Sequence, residues 1–236
     1  TASALRRAAS PAHRRCSSKI KRQDATHQLT FNPDFRSSIG TPPGGRSAAQ
    51  SVHWVANTGT SPLVVLETAR LVLRHLEAAD LPALYALYRD PEMRRHFPDG
   101  TKTLEETESE LRLFQHGHPL RPELGLWATI ERESGAFLGR CGLLPWDIDG
   151  RPEVELAFLI DKARWGEGLA TEASFGIIEH ARSSLMLRRL ICLVMPDNER
   201  SAAVARKVGM RFERDYTDEH GYCHIYSRSL VDAAKD

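Results

Sequence analysis

The chain has 236 residues, 41% of them hydrophobic, enough for one cored domain or two small ones. No apolar run reaches the ~18 residues of a helical membrane span, so none is expected. The net charge of +1 divides unevenly: residues 1–60 hold nine Lys or Arg against two Asp, the remainder 23 against 29 acidic groups, and that acidic remainder argues against nucleic-acid binding.

Residues 1–62 are rich in Ser, Ala, Arg, Pro and Gly, with a breaker cluster at Thr41-Pro42-Pro43-Gly44-Gly45. They read as a disordered basic arm, because little apolar surface offsets the chain entropy. The first 23 residues carry seven basic groups and no acidic one. Organelle transit peptides share that composition, and so does arbitrary upstream translated sequence; the poor amphipathic pattern favours the second and a cytoplasmic location. A nucleic-acid-binding arm is a third, weaker reading.

A folded domain is expected over 63–236, alternating strands and helices. Leu71 to Leu76 predicts a strand. Asp80 can cap a helix with Leu81, Leu84, Tyr85 and Tyr88 inward, stopped by Pro91. Thr103-Leu104-Glu105-Glu106 is a capping box that opens a helix to about His116. Leu126–Ile130 and Phe137–Leu143 predict a hairpin turning at Glu133-Ser134-Gly135. Val154–Ile160 predicts a strand, followed by the turn Arg164-Trp165-Gly166-Glu167-Gly168. Leu169, Ala173, Ile177 and Ala181 then recur at helical spacing, to about Met186. Arg189–Val194 is a strand, Asn198 starts a helix that ends at the Gly209 cap, and Arg211–Tyr216 and Tyr222–Leu230 close the chain as strands. The order implies a mixed α/β (α+β) fold around one central, mostly antiparallel sheet.

Strand, glycine turn and helix N-terminus together make an anion site. The first helical N–H groups have no internal partner, the helix dipole is positive there, and glycine lets a phosphate approach. A P-loop would need Gly-Lys-Ser/Thr, and no lysine follows Gly168. A dinucleotide fingerprint would need a third glycine where Thr171 stands. The remaining candidate is a loop for acetyl-coenzyme A.

The run Trp165 to Ala173, Trp-Gly-Glu-Gly-Leu-Ala-Thr-Glu-Ala, closely resembles motif A of the GNAT acetyltransferase superfamily, in its RimJ/RimL-like branch. Trp165 stands where the general pattern has Gln or Arg, as that branch commonly shows. Glu67-Thr68-Ala69-Arg70-Leu71-Val72-Leu73-Arg74 resembles the branch's first strand, and Glu155-Leu156-Ala157-Phe158 its fourth. Asp197 to Ala202, with Lys207 to Phe212, resembles its late helix and following strand. The resemblance covers roughly 67–230.

Acetyl transfer to an amine needs a base for the acceptor, donors for the oxyanion and a proton for the departing thiolate. Glu155 is the candidate base: it shares a strand face with Glu153, Ala157 and Leu159, and burial would raise its pKa towards neutrality. Glu153 is the fallback. The resemblance implies that main-chain groups of Phe158, Leu159 and Ile160 pair with the pantetheine arm. It implies that Trp165 belongs to the cofactor-binding loop and that the pyrophosphate sits on the N–H groups of Gly166, Glu167, Gly168, Leu169, Ala170 and Thr171, with the Thr171 hydroxyl adding a donor. Asn198 reads as a helix cap and, by resemblance, as a pantetheine contact. Ser201 reads as a first-turn residue and, by resemblance, as the proton donor, a role many relatives give to Tyr. Arg206 and Lys207 are candidates for the 3′-phosphate. Phe97 is a candidate lining of the acceptor site, whereas Trp127, Trp146 and Tyr222 default to packing.

The cysteines, Cys16, Cys141, Cys192 and Cys223, form no Cys-x-x-Cys pair, which suits a reducing compartment. His220 and His224 are spaced as half a metal site with no second half, so solvated residues are favoured and no metal is expected. The expected reaction is N-acetylation of a primary amine, either a peptide N-terminus or a small molecule, by a monomer or homodimer. The alternative is a catalytically silent acyl-coenzyme A binding module.

Overall fold

A computed structural model describes residues 63–218 and 221–231. The basic arm, Cys16 and His220 lie outside the described residues. Strands β1 (Val64–Glu67), β2 (Leu71–Arg74), β3 (Gly125–Glu131), β4 (Phe137–Ile148), β5 (Arg151–Ile160), β6 (Arg189–Val194), β7 (Arg211–Asp218) and β8 (Gly221–Ser229) form one sheet. Its order is β1-β2-β3-β4-β5-β6-β8-β7. All neighbours run antiparallel except β5 and β6. Helices α1 (Leu81–Tyr88) and α2 (Leu104–Phe114) pack on one face. On the other lie α3 (Leu169–Ser183) and α4 (Glu199–Lys207). The alternation within β5 divides the two cores: Ala157 and Leu159 face α1 and α2, while Leu156 and Ile160 face α3.

Several local expectations are met. The Thr103 hydroxyl accepts from Glu106 N–H at 3.2 Å and the Glu106 carboxylate accepts from Thr103 N–H at 2.7 Å, a reciprocal capping box. Gly209 takes φ +80° after α4, as a left-handed cap requires. Others are corrected. Asp80 does not cap α1 with its side chain. Its carboxylate instead takes Arg74 in a two-pronged pair at 2.7 and 2.8 Å and accepts from Glu77 N–H. Buried and facing a guanidinium, it gains more from the ion pair than from the helix end. Leu87, absent from the expected inward set, is buried on α1, whereas Leu81 and Tyr85 are half-buried.

β4 runs five residues past its expected end at Leu143, and β5 starts early at Arg151. Pro145 and Pro152 discourage that reading of the sequence. They are tolerated because β3 pairs with β4 only as far as Leu143, so Pro145 has an open edge for its missing N–H. Asp149 and Gly150, both left-handed at φ +54° and +74°, turn the hairpin.

Among the described residues, no helix is long and apolar enough to cross a membrane. Cys141 and Cys192 are buried and free, and Cys223 is half-buried and free. A Cβ on Gly142 would lie 1.9 Å from the Gly125 carbonyl oxygen. Gly142→Ala should therefore cost about 1–3 kcal/mol, read as a lower denaturant midpoint at unchanged slope.

Candidate active site

The parallel pair is where the sheet opens. β5 and β6 are in register at Glu155 and Ile191, and pairing does not continue towards their C-terminal ends. The β4 side of β5 stays fully paired to Ile160. Asp161 N–H donates to the Leu138 carbonyl at 2.7 Å, so alternation turns the main-chain groups of Leu159 towards β4 and those of Phe158 and Ile160 towards the wedge. The Ile160 carbonyl is taken by the Trp165 indole N–H at 2.7 Å. The sequence grouping of Phe158, Leu159 and Ile160 thus splits: Phe158 and the Ile160 N–H face the gap, and Leu159 does not.

The glycine turn sits at the wedge's open end. Gly166 and Gly168 both hold left-handed backbone, at φ +88° and +79°. A Cβ on Gly166 would meet nothing within 4 Å, and one on Gly168 would approach only an Arg70 nitrogen, at 3.9 Å. Among the described residues, no acceptor takes the main-chain N–H groups from Gly166 to Thr171. An unsatisfied N–H run at a helix start, fronted by open space, fits a pyrophosphate. Leu169, buried in the core, anchors the helix start, while Ala170 and Thr171 are half-buried.

Charged side chains brace the turn. Arg70 Nε donates to Glu172 at 2.6 Å, its terminal nitrogens reach the Glu167 carbonyl at 3.2 Å, and the Thr68 hydroxyl donates to Glu172 at 2.7 Å. Arg164 clamps Glu167 and Glu131 at 2.8 and 2.7 Å. Arg200 lies over the Trp165 ring at 4.2 Å. The turn between β1 and β2 was not foreseen as a support for the cradle. Its signal was present, in a Thr-x-Arg preceding a strand and a glutamate in the first turn of α3. A pocket of about 600 Å³ beside the turn is lined by Gly168, Thr171, Phe175 and Lys207. Lys207 is thus near the cradle, whereas Arg206 pairs with Glu199 at 3.1 Å.

Glu155 occupies the apex of the wedge. Its carboxylate accepts from the Trp146 indole N–H at 2.6 Å, and the main-chain N–H of Leu193, near the parting strands, also favours its ionised form. Enclosure by protein pushes its pKa up to about 7, against the two hydrogen bonds and the nearby Arg140, which favour the carboxylate. Glu153 is committed elsewhere, to Arg189 at 3.1 Å, and Arg189 also holds Glu213. Trp146, expected only to pack, is the side chain that orients Glu155.

Asn198 caps α4, its side-chain oxygen accepting from Ser201 N–H at 3.1 Å. The half-buried Ser201 hydroxyl has no hydrogen-bond partner among the described residues. Across the mouth, His96 and Arg95 reach Asp197 at 3.2 and 3.7 Å, tying the α1–α2 loop to the loop before α4. Phe97 lies against two guanidinium groups, with Arg94 at 4.0 Å and Arg140 at 5.5 Å from the ring centre. Trp127 is core, whereas Tyr222 is exposed beside His224. His224 pairs with Asp215 at 2.7 Å, and among the described residues no three metal-ligating side chains come together.

The family model for an acetyltransferase (GNAT) domain matches residues 70–211, more than half of the chain. The chain belongs to the GNAT acetyltransferase family. Over 162 residues it is 28% identical to the uncharacterized N-acetyltransferase YoaA of Bacillus subtilis, covering 66% of this chain and 90% of that one. A GNAT-family acetyltransferase structure from Bacillus anthracis superposes with a TM-score of 0.61 at 19% identity, over 70% of this chain and 98% of that one. The spermidine N-acetyltransferase of Vibrio cholerae, solved with CoA and spermine, gives 0.57 at 15% identity, over 69% and 96%. At these identities the likeness shows the fold: a GNAT sheet flanked by helices. Membership makes this chain an acyltransferase of a family that uses acetyl-CoA and, in general, acetylates amines.

The GNAT wedge makes a titration testable. In Trp146→Phe, a hydrogen bond that favours the Glu155 carboxylate is lost, so its midpoint should rise from near 7. Carbon-13 NMR of labelled glutamate, assigned with Glu155→Gln, would read it; an unmoved or lowered midpoint would contradict the pairing.

Proposed function

We propose that this chain transfers the acetyl group of acetyl-CoA to a primary amine by direct attack, with Glu155 as general base, in the manner of the RimJ/RimL-like branch. The acceptor is a peptide N-terminal amine or a small-molecule amine. The observation that carries the reading is a carboxylate with a pKa near 7 at the apex of a strand wedge whose open end is an anion cradle. A base poised near the working pH is half ionised and still basic enough to take an ammonium or amine proton.

Each part has a role. The N–H groups of Gly166 to Thr171 hold the pyrophosphate, with Trp165 fixing the turn to the end of β5. The main-chain groups of Phe158 and the N–H of Ile160 in the wedge pair with the pantetheine amides, as the free side of a strand pairs with an added one. Acetyl-CoA supplies the activated thioester. Glu155 accepts the proton of the incoming amine, directly or through a water. Ser201, whose hydroxyl is uncommitted, gives a proton to the departing sulfur. Asn198 shapes the same helix start and lies beside the arm. Free Cys141, Cys192 and Cys223 support a reducing, cytoplasmic setting, and a monomer or homodimer suffices for the site.

Acetyl-CoA at a hundred times its Kd should add about 2.7 kcal/mol of stability, seen as a rise in Tm not given by NAD or ATP. Gly168→Val should remove that rise, since the side chain fills the cradle and the backbone is left-handed there. Glu155→Gln should keep the rise and lower kcat by about 10²–10⁴. In the wild type, kcat/KM should climb with pH through about 7 as Glu155 loses its proton. Binding without turnover on any amine would identify a silent acyl-CoA module instead.

A further inference from the structure

Beside the wedge, on the α1–α2 face, lies a buried charge cluster with one cation too many. Asp99 is paired with Arg94 and with Lys102, the latter at 2.9 Å. Glu110 is paired with Lys102 at 3.1 Å and accepts from the Tyr88 hydroxyl. Three cations, Arg94, Lys102 and Arg140, therefore share two carboxylates, and Glu110 feels Arg140 as well as Lys102. Arg140, 5% exposed, touches neither carboxylate directly. Its Nε donates to the Tyr88 hydroxyl at 2.7 Å, and among the described residues no carboxylate lies within 4.0 Å of it.

A buried guanidinium is expected to be paired, because an uncompensated charge costs several kcal/mol to bury. Both terminal nitrogens of Arg140 lack a hydrogen-bond partner among the described residues. The unpartnered side-chain atoms that are sealed from solvent are His75 Nδ1, Thr129 Oγ1 and Ser174 Oγ. The Arg140 terminal nitrogens are not among them and keep a trace of exposure within a side chain that is 5% exposed.

The sheet register places Arg140 relative to Glu155. Arg140 stands opposite Leu159, and Glu155 opposite Leu144, four residues along β4 on the same face. Between them stands the facing pair Gly142 and Ala157, which adds little side-chain bulk. Arg140 and Glu155 thus share one face of the sheet, with Phe97 against Arg140. Arg140 is near enough to act on the charge of Glu155.

We propose that Arg140 binds a carboxylate of the acceptor, so that the substrate is a small amine carrying an acid group, of the α-amino-acid kind, with its nitrogen at Glu155 and its carboxylate on the free guanidinium edge. A planar guanidinium with two open nitrogens offers a carboxylate a two-pronged hydrogen bond. A polyamine would instead bring a second positive charge against Arg140 and Arg94. The proposal rests on the acetyl-transfer reading and narrows it to one of the two acceptor classes.

The test uses matched pairs that differ only in the acid: α-amino acids against their carboxamides, and phosphoethanolamine against ethanolamine, with spermidine as the cationic contrast. Wild-type kcat/KM should favour amino acids over carboxamides by about tenfold or more. Arg140→Gln should erase that preference while the Kd for acetyl-CoA stays unchanged, and Arg140→Lys should restore part of it. A role confined to packing would lower all acceptors alike. A preference for phosphoethanolamine alone would overturn the carboxylate assignment, and equal use of neutral or polyamine acceptors would overturn the anion site.

Calorimetry of N-acetylglycine and N-acetylglycinamide on the CoA-saturated wild type gives a readout independent of turnover and of any variant's folding. Tighter binding of the acid supports the proposal, and equal binding overturns it. Loss of acetyl-CoA binding itself would instead sink the acetyl-transfer reading.

Discussion

The parting of β5 from β6 is the constraint on which the rest of this molecule depends. A sheet that closed fully there would satisfy every main-chain group and leave nothing to bind. Register held at Glu155 and Ile191 and released beyond frees one side of β5 and one N–H of β6. Such groups are costly to leave bare inside a protein. The chain answers with three devices. The Glu155 carboxylate lies by the Leu193 N–H, the Trp165 indole takes the Ile160 carbonyl, and the Phe158 groups face the gap.

The same opening tunes the chemistry. Glu155 is enclosed enough for its proton to be held to about pH 7, yet it keeps two donors that preserve a usable carboxylate. Removing the donors would leave a carboxyl that never ionises in range, and removing the enclosure would leave an ordinary weak base. The anion cradle a few residues on is built by opposite means. There no side chain intrudes, and surrounding ion pairs of Arg70, Glu172, Arg164 and Glu131 hold the glycines in left-handed conformation from outside. Exposed pairs of this kind contribute little to stability one by one, but a network fixes the direction of a turn.

The α1–α2 face shows a different economy of charge. Its ionic cluster sets three cations against two carboxylates, and Arg140 shares the sheet face of Glu155. Phe97, in a loop that sequence marked as a candidate acceptor wall, turns out to lie against both guanidinium groups that give this face its sign.

The sequence by itself determined the elements that rest on local physics. Apolar spacing from Leu169 to Ala181 specifies a helix, the capping box at Thr103 starts another, and Gly166 and Gly168 specify a tight left-handed turn before a helix, because each depends on residues a few positions apart. The candidate base was legible for the same reason: an acidic residue alternating within an apolar strand ahead of that turn. Only the tertiary structure decided the rest. That Trp146 serves Glu155, that Glu153 is spent on Arg189, that Arg70 braces a loop some hundred residues away, and that Arg140 meets the Tyr88 hydroxyl rather than a carboxylate all depend on which strands become neighbours. Hydrogen bonds and Coulomb forces act over a few ångströms of space, and no local pattern along the chain records those distances.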